Sequence, residues 1–266
     1  MTSTEPRYGT VDRAYGRRLA TTPPEEDGPI WMVNLMRYRE RAEYGGGDDG
    51  GLTGREADDR YAPTKVLADI GAQVAFFGDV QVQPLGAPKW DRVGIVRYPT
   101  RRAFIEMQSR HDFQEKHVHK AAGMEETIVM GATPADTPMV TDPPAWDSVP
   151  YPPTEDDGPV VVVHVLRFAD RGRMRGYEEV AGEVAIPHGV RPALWLDVEG
   201  TIVGDGRQWD QVRLNAFPSR RALAAVVEDQ RRLSAQASHR EPAIADTFTM
   251  LVRPTIDRID EIVGQA

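Results

Sequence analysis

The feature that most constrains this 266-residue chain is an internal repeat, because its second half carries segments of the first half in the same order. A repeat decides the architecture, so it takes precedence over the assignment of single elements. Three pairs of segments match: TTPPEEDGPIWMVNLMRY from Thr21 with YPPTEDDGPVVVVHVLRF from Tyr151, WDRVGIVRYPTRRAF from Trp90 with WDQVRLNAFPSRRAL from Trp209, and ETIVMGATP from Glu126 with DTFTMLVRP from Asp246. Chance similarity between two amphipathic domains does not account for collinear blocks that share two Trp-Asp pairs. We therefore predict a tandem duplication.

Each repeat predicts the same order of elements: strand, helix, strand, strand, helix, strand. The short apolar runs Ile30–Tyr38 and Val160–Phe168 are typical of strands buried on both faces. Prolines and glycines mark the turns between the remaining elements. The expected helices are one near Asp58–Ile70 and one from Pro99 to about Ala122, broken near Ser109–Asp112, in the first repeat, and one near Met174–Ile186 and one from Pro218 to about Ser238 in the second.

This order of elements is the ferredoxin-like βαββαβ unit, which leaves one face of its sheet bare. A chain with two such units can cover both faces internally. We therefore predict an α+β protein in which two ferredoxin-like βαββαβ repeats pack sheet to sheet as an intrachain dimeric α/β barrel. The predicted boundaries are an N-terminal arm over residues 1–27, a first repeat over 28–134, a proline-rich linker over 135–157, a second repeat over 158–254 and a C-terminal tail helix over 255–266.

Composition excludes several classes of function. The chain has no cysteine, which removes disulfides, thiolate nucleophiles and cysteine metal sites. A net charge of −9 disfavours binding to nucleic acid. No apolar run approaches the roughly 20 residues that span a bilayer, and no signal peptide is visible, so we expect a cytoplasmic protein without a membrane partner. The excess of arginine over lysine is typical of a GC-rich genome, such as that of an actinomycete.

The candidate catalytic residues start with His164, which interrupts the apolar strand VVVVHVLRF. Its counterpart in the first repeat is Asn34, also polar. A polar group in a buried strand needs a hydrogen-bond partner or a wet cavity. Matching polar residues at one point of both strands favour a cavity in the barrel interior. The alternative is a pair of hydrogen-bonded structural groups.

Further candidates also occur in matching pairs. His119 and His239 stand near the ends of the second helices and are the other two catalytic candidates. The candidate substrate-binding residues are Arg37 and Arg167, Tyr61 and Tyr177, and Trp90 and Trp209. For each of these pairs packing, or ion pairing for the arginines, is the competing interpretation. No His-x-x-x-His pattern occurs, so we expect no bound metal.

The segments VNLMRY, WDRVGIVRYPTRRAF and ETIVMG resemble the dimeric α/β-barrel superfamily. Within it they are most similar to a small bacterial family related to antibiotic-biosynthesis monooxygenases, EthD-like proteins and NIPSNAP-like proteins. The resemblance implies the fold. It leaves the chemistry open, because the superfamily includes cofactor-free oxygenases, isomerases, cyclases, decarboxylases and haem enzymes.

We expect a small-molecule enzyme of bacterial secondary metabolism that works without a cofactor. Its reaction would be an oxygenation, isomerisation, cyclisation or elimination driven by proton transfer. In that hypothesis His164 is the general base, Asn34 orients the substrate, and Arg37 or Arg167 holds negative charge. The alternatives are a non-catalytic binding protein for an apolar or aromatic metabolite and a haem-binding barrel. The hypothesis also allows the chain, itself an internal pseudo-dimer, to form a homodimer.

Overall fold

The computed structural model describes residues 6–45, 51–138, 140 and 142–264. The strands are β1 (Thr10–Val11), β2 (Ile30–Tyr38), β3 (Gln73–Leu85), β4 (Arg92–Tyr98), β5 (Met124–Pro134), β6 (Val160–Phe168), β7 (Arg191–Gly204), β8 (Gln211–Phe217) and β9 (Ile244–Asp257). The α-helices are α1 (Arg13–Thr21), α2 (Gly54–Tyr61), α3 (Thr64–Asp69), α4 (Arg101–Met107), α5 (His111–Gly123), α6 (Arg171–Ala185), α7 (Arg220–Glu228), α8 (Gln230–Ala235), α9 (Glu241–Ala243) and α10 (Ile259–Val263). A 3₁₀ turn at Ile186–His188 follows α6, and a π-helical turn at Gln236–Arg240 follows α8. None of the helices in these ranges has the length and apolar character needed to cross a bilayer.

Eight strands close into one antiparallel barrel. Their order is β7-β5-β2-β4-β3-β9-β6-β8, and β8 pairs back with β7. The first repeat contributes β5-β2-β4-β3 and the second β9-β6-β8-β7, so both repeats have the same internal strand order. The repeats join where β3 pairs with β9 and where β5 pairs with β7. The predicted fold class, an intrachain dimeric α/β barrel made of two ferredoxin-like repeats, is confirmed.

The helices depart from the predicted boundaries at two points. The segment Asp58–Ile70 lies in two helices rather than one, because Pro63 follows the first of them and proline cannot continue a helix. The helix predicted to run from Pro218 to Ser238 is interrupted at Asp229. That side chain accepts backbone hydrogen bonds from the first turn of α8 and so starts a new helix. The predicted break between α4 and α5 is present.

The repeated sequence blocks account for matching helix starts. Thr100 caps α4 and Ser219 caps α7, each by accepting a hydrogen bond from the amide three residues later. Asp27 and Asp157 occupy matching positions in the Asp-Gly-Pro segments. Each carboxylate accepts a hydrogen bond from the first amide of the same helix, at 2.7 and 2.8 Å. A negative charge at a helix N-terminus is favourable, so these residues fix the helices against the sheet in both repeats.

The barrel interior is filled by apolar side chains from both repeats. Alternate residues of the first strands point inward, and the inward set is Trp31, Val33, Leu35, Val161, Val163 and Val165. Trp90 and Trp209 pack against Phe248, with ring centroids 5.6 and 4.9 Å apart. Ile259 and Ile262 of α10 are buried against the same cluster. The interior therefore forms a core in which both tryptophans are packing residues.

Asn34 and His164 lie on the other face of their strands. Their neighbours on that face, such as Met32 and Val162, pack with the helix layers outside the barrel. The predicted position in the barrel interior is therefore wrong. Alternation correctly predicted that the two residues occupy equivalent places. It did not predict which face turns inward, because both faces of these strands are buried and apolar.

The N-terminal arm packs on the outside of the barrel, and the C-terminal helix packs against its core. The N-terminal arm pairs β1 with β7 of the second repeat. Tyr15 of α1 packs closely on two glycines. A Cβ atom added at Gly131 would lie 2.1 Å from the Tyr15 hydroxyl, and one added at Gly200 would lie 2.9 Å from the Tyr15 ring. At the other end, β9 continues to Asp257 before α10 begins, so the tail helix is shorter than predicted. Residues 265–266 of the predicted tail lie outside the described residues.

Candidate functional site

The second repeat encloses an imidazole between its sheet and its helices. His164 of β6 lies opposite Thr249 of β9 in the strand register, and its Nδ1 lies 3.1 Å from the Thr249 hydroxyl oxygen. The residue is only partly buried although it stands under the helix layer. Among the described residues Nε2 has no hydrogen-bond partner, and it is not sealed from solvent. The geometry leaves this nitrogen free to meet a ligand.

Three buried arginines surround this imidazole. Arg213 of β8 is the register partner of His164 on the other side, Arg232 belongs to α8, and Arg240 ends the π-helical turn. Their exposed fractions are 5%, 8% and 7%. Burial, followed by the positive charges of Arg240, Arg213 and Arg232, lowers the pKa of His164 to about 3. The imidazole is therefore neutral at physiological pH.

The arginines differ in how their charges are satisfied. Arg213 forms an ion pair with Glu178 at 2.6 Å and stacks on the Trp195 ring at 3.8 Å. Arg232 donates to the Tyr177 hydroxyl at 2.9 Å and otherwise to the Gln236 side-chain amide and a backbone oxygen, so it has no carboxylate partner among the described residues.

Arg240 is the least satisfied of the three. Its guanidinium has no hydrogen bond or ion pair within the part of the chain that the structure describes. It lies 5.9 Å from the centre of the Tyr177 ring. Burial lowers its pKa, and the adjacent Glu241 is exposed and accepts instead from Gln236. The cluster thus combines three buried arginines with one partly buried carboxylate, that of Glu178.

The π-helical turn explains why Arg240, rather than His239, faces the sheet. A π turn adds a residue to the helical repeat and is frequent at functional sites. His239 is exposed, and its ring packs on Gly176 of α6, where a Cβ atom would approach to 3.0 Å. The predicted candidate His239 is therefore not brought to His164. Arg240, the next residue in the sequence, faces the sheet in place of His239.

The equivalent place in the first repeat has different chemistry. Asn34 donates to the Met32 carbonyl at 3.2 Å, and Gly94 stands opposite it where the second repeat has an arginine. Lys120 takes the position of Arg240, with its amine 5.5 Å from the centre of the Tyr61 ring. Tyr61 and Tyr177 are therefore equivalent, and each places a phenol against a cation of the second helix.

The other predicted residues lie elsewhere. His119 hydrogen-bonds to Tyr44 at 2.7 Å on the outside of the first repeat. Arg37 forms ion pairs with Glu125 and Glu126 at 3.1 and 3.6 Å, and Glu125 also lines an open surface recess of about 660 Å³ with residues 39–44.

Arg167 is exposed. Trp90 and Trp209 belong to the barrel core. None of these side chains reaches the His164 cluster. Among the described residues no group of three His, Asp or Glu side chains is arranged to hold a metal ion.

Sequence reasoning missed Arg213, Arg232, Arg240 and Lys120. One signal was available for the first of them. Within the matching Trp-Asp blocks, Arg213 stands where the first repeat has Gly94, so a charge replaces a glycine in a strand. Arg232 and Arg240 had no such signal, because arginines are abundant in the helices of this chain and a π turn shifts the helical phase.

Comparisons with known proteins describe what the chain is similar to. No family model matches it, and no curated protein matches it. A structure of RPA0582 from Rhodopseudomonas palustris is 29% identical, with a TM-score of 0.44, and the match covers 49% of this chain and 98% of that one. A variant of the chlorite dismutase from Candidatus Nitrospira defluvii is 12% identical, with a TM-score of 0.48 over 94% of this chain and 98% of that one. An anthrone oxidase-like protein is also 12% identical, with a TM-score of 0.47 over 88% and 96%.

The class of the protein follows from its own strand order and closure. Two βαββαβ repeats that close into a single eight-stranded barrel give the chain the fold of the dimeric α/β-barrel superfamily, formed within one polypeptide. The resemblance stated from the sequence is confirmed at this level.

Proposed function

We propose that the chain is a small-molecule enzyme whose site lies between the sheet and the helices of the second repeat, and that its substrate is an anion. The observation that carries this proposal is the buried guanidinium of Arg240, which has no hydrogen bond or ion pair among the described residues, although the charge of the exposed Glu241 acts on it from a distance. A buried charge without a partner is costly, and pairing with an opposite charge offsets that cost. A carboxylate, enolate or phenolate supplies the missing charge and suits the forked geometry of arginine.

The same arrangement supports proton abstraction by His164. With Nδ1–H donated to Thr249 Oγ1, Nε2 carries the lone pair that accepts a proton from the substrate. The negative charge left on the substrate is held by Arg240 and Arg232, which act as an oxyanion site.

Substrate binding also strengthens this base. The pKa of His164 is lowered to about 3 by burial and by the three arginines. An anion bound among the guanidinium groups cancels part of their repulsion of the imidazolium, so the pKa of His164 rises towards the range in which a base is effective. Isomerisation, cyclisation and elimination can all follow this proton transfer. Oxygenation would require dioxygen as a second substrate.

A haem is the second candidate ligand, favoured by one observation. The unpartnered Nε2 of His164 is a nitrogen donor of the kind that binds haem iron, and the nearby guanidinium groups suit carboxylate side chains. His164 would hold the iron, Arg232 and Arg240 would hold the propionates, and the group would supply redox chemistry. Titration of the protein with haemin distinguishes this candidate, because binding produces a Soret shift that should be absent in His164→Gln.

Proton abstraction can be tested before the product is known. The protein is incubated in D₂O with a panel of small carboxylates and phenols that carry acidic C–H bonds, and ¹H NMR measures exchange of hydrogen for deuterium. We expect exchange with at least one member and a loss of about 10²–10⁴-fold in His164→Gln, the usual contribution of a general base. His239→Gln is the matched control, since this histidine is exposed, and it should exchange at the wild-type rate.

Two outcomes would count against the proposal. Full exchange in His164→Gln would remove this residue from catalysis. Saturable binding of an anion without exchange or turnover would instead support the non-catalytic binding protein.

A further inference from the structure

We propose that the first repeat holds a second site, in which the amine of Lys120 forms an imine with an aldehyde or a ketone. The proposal concerns the other repeat and does not depend on the function proposed for His164. It rests on the position of Lys120 on the face of α5 that is turned towards Tyr61, and on the absence of a hydrogen bond or ion pair to its amine among the described residues.

Lys120 is enclosed but not sealed. Its side chain is partly buried, and its amine has no hydrogen bond or ion pair to any residue that the structure describes. The hydroxyl of Tyr61 is likewise without a hydrogen bond among the described residues, and neither atom is cut off from solvent. Polar groups in enclosed places normally find partners. The Lys120 amine and the Tyr61 hydroxyl are therefore both open to a ligand or to water.

The nearest carboxylate does not neutralise this amine directly. Asp58 accepts a hydrogen bond from the Tyr38 hydroxyl at 2.6 Å and lies 3.6 Å from the Arg92 guanidinium. Burial raises the pKa of Asp58, and burial lowers the pKa of Lys120 against the opposing influence of Asp58. The larger neutral fraction makes Lys120 a stronger nucleophile than an exposed lysine.

The remaining titratable groups around the amine are His117, Tyr61 and Tyr8. Nε2 of His117 lies 3.0 Å from the Tyr8 hydroxyl, and burial followed by the charge of Lys120 lowers the pKa of His117 to about 4. Burial raises the pKa of Tyr61 well above its usual value, so its hydroxyl stays protonated. Burial therefore favours the neutral forms of both Lys120 and His117, and of these two Lys120 is the primary amine that an imine requires.

The reaction balances with the groups present. The lone pair of Nζ attacks the carbonyl carbon, and the carbonyl oxygen takes up the displaced electron pair and a proton from the Tyr61 hydroxyl. Loss of a proton from nitrogen returns the phenol to its neutral form and leaves a carbinolamine. The Tyr61 hydroxyl then protonates the carbinolamine hydroxyl, which departs as water and leaves an iminium ion. Return of the nitrogen proton to the phenolate gives the imine, with one water released for each imine formed. Neither an oxidant nor a reductant is needed.

The second repeat provides an internal comparison. Arg240 occupies the equivalent place against Tyr177, and a guanidinium stays protonated and forms no stable imine. Lys120→Arg therefore copies a side chain that this fold already accommodates. The chain contains only four lysines, so every labelled lysine can be assigned by mass: Lys65, Lys89, Lys116 and Lys120.

The test is reductive trapping. Full-length protein is incubated with butanal and cyanoborohydride at pH 7, and peptide mass spectrometry follows labelling of each lysine. We expect Lys120 to be labelled faster than the exposed Lys65, because a lowered pKa raises the neutral fraction of an amine. Lys120→Arg should remove this label, whereas Lys65→Arg, the matched control, should leave it unchanged.

Tyr61→Phe keeps the ring and removes the proposed proton donor. We expect slower labelling of Lys120 in this variant, with unchanged labelling of Lys65 and an unchanged circular dichroism spectrum. Labelling of Lys120 that is slower than that of Lys65 in the wild-type protein would overturn the imine site. An unchanged rate in Tyr61→Phe would overturn the role given to the phenol.

Discussion

At the scale of single residues, the informative side chains are those whose charge is not matched by their surroundings. Arg240 and Lys120 stand at equivalent positions of the two repeats, and both lack a direct partner among the described residues. Natural proteins retain such unfavourable groups mainly at functional sites, where the cost is balanced by binding or catalysis. The polar pair found in the sequence, Asn34 and His164, marks the strand position beneath these cations.

The two buried histidines predict how stability depends on pH. Burial, followed by nearby positive charges, lowers the pKa of His164 to about 3 and that of His117 to about 4, whereas both titrate near 6.5 in the unfolded chain. Between those values the unfolded state binds more protons, so stability should fall as pH decreases from about 6.5 to 4. Each histidine contributes a slope of up to about 1.4 kcal/mol per pH unit.

The measurement is urea unfolding between pH 7 and pH 4.5. His164→Val should reduce the slope, and His111→Gln is the matched control because His111 is exposed and should leave it unchanged. An identical slope in His164→Val would show that this imidazole is not held neutral in the folded protein.

At the scale of elements, sequence patterns predicted the type and order of helices and strands better than their orientation. The matching blocks around Trp90 and Trp209 fixed the third strands and the helix starts that follow them. Alternation could not assign inner and outer faces in β2 and β6, because large apolar side chains occupy both faces. The π turn at Gln236–Arg240 explains a second miss, since a regular helical period does not anticipate an inserted residue.

The helix α10 gives a prediction at this scale. Ile262 is fully buried at the end of the barrel core, whereas Val263 is 45% exposed. Ile262→Ala should lower the free energy of unfolding by about 2–5 kcal/mol, the usual range for a truncated core isoleucine. Val263→Ala is the matched control and should change stability by less than about 0.5 kcal/mol. Equal effects in denaturant unfolding would contradict a role of α10 in closing the barrel.

At the scale of the whole molecule, the duplication has produced a symmetrical scaffold with unequal sites. The strand order of the two repeats is the same, and the paired tyrosines and cations are retained. The second repeat has Arg213 and Arg240 where the first has Gly94 and Lys120, and the buried Arg92 of the first repeat pairs with Asp58 and Asp79. The sequence predicted the scaffold because repeats and periodicity are local patterns. It did not predict the arginine cluster, which forms only when β8, α8 and the π turn come together.

The chain as a whole carries a net charge of −9, so a buried group of cations is a local exception to its electrostatics. The central claim is that this group, in the second repeat, binds an anion through Arg240. Removing the charge of Arg240 should then weaken anion binding without lowering the free energy of unfolding. Arg240→Met keeps the apolar stem and removes the unpaired guanidinium, so the folded protein should be as stable as the wild type or more stable.

The most direct measurement is isothermal titration calorimetry of the wild-type protein and Arg240→Met with a carboxylate found in the exchange panel, alongside denaturant unfolding of both. Arg231→Met is the matched control, since Arg231 is exposed and pairs with Glu183 at the surface. We expect Arg240→Met to bind about 10- to 150-fold more weakly, as follows from a charged hydrogen bond worth about 1.5–3 kcal/mol, without loss of stability. Wild-type affinity in Arg240→Met, or a marked loss of stability that shows Arg240 to be a satisfied structural residue, would contradict the account.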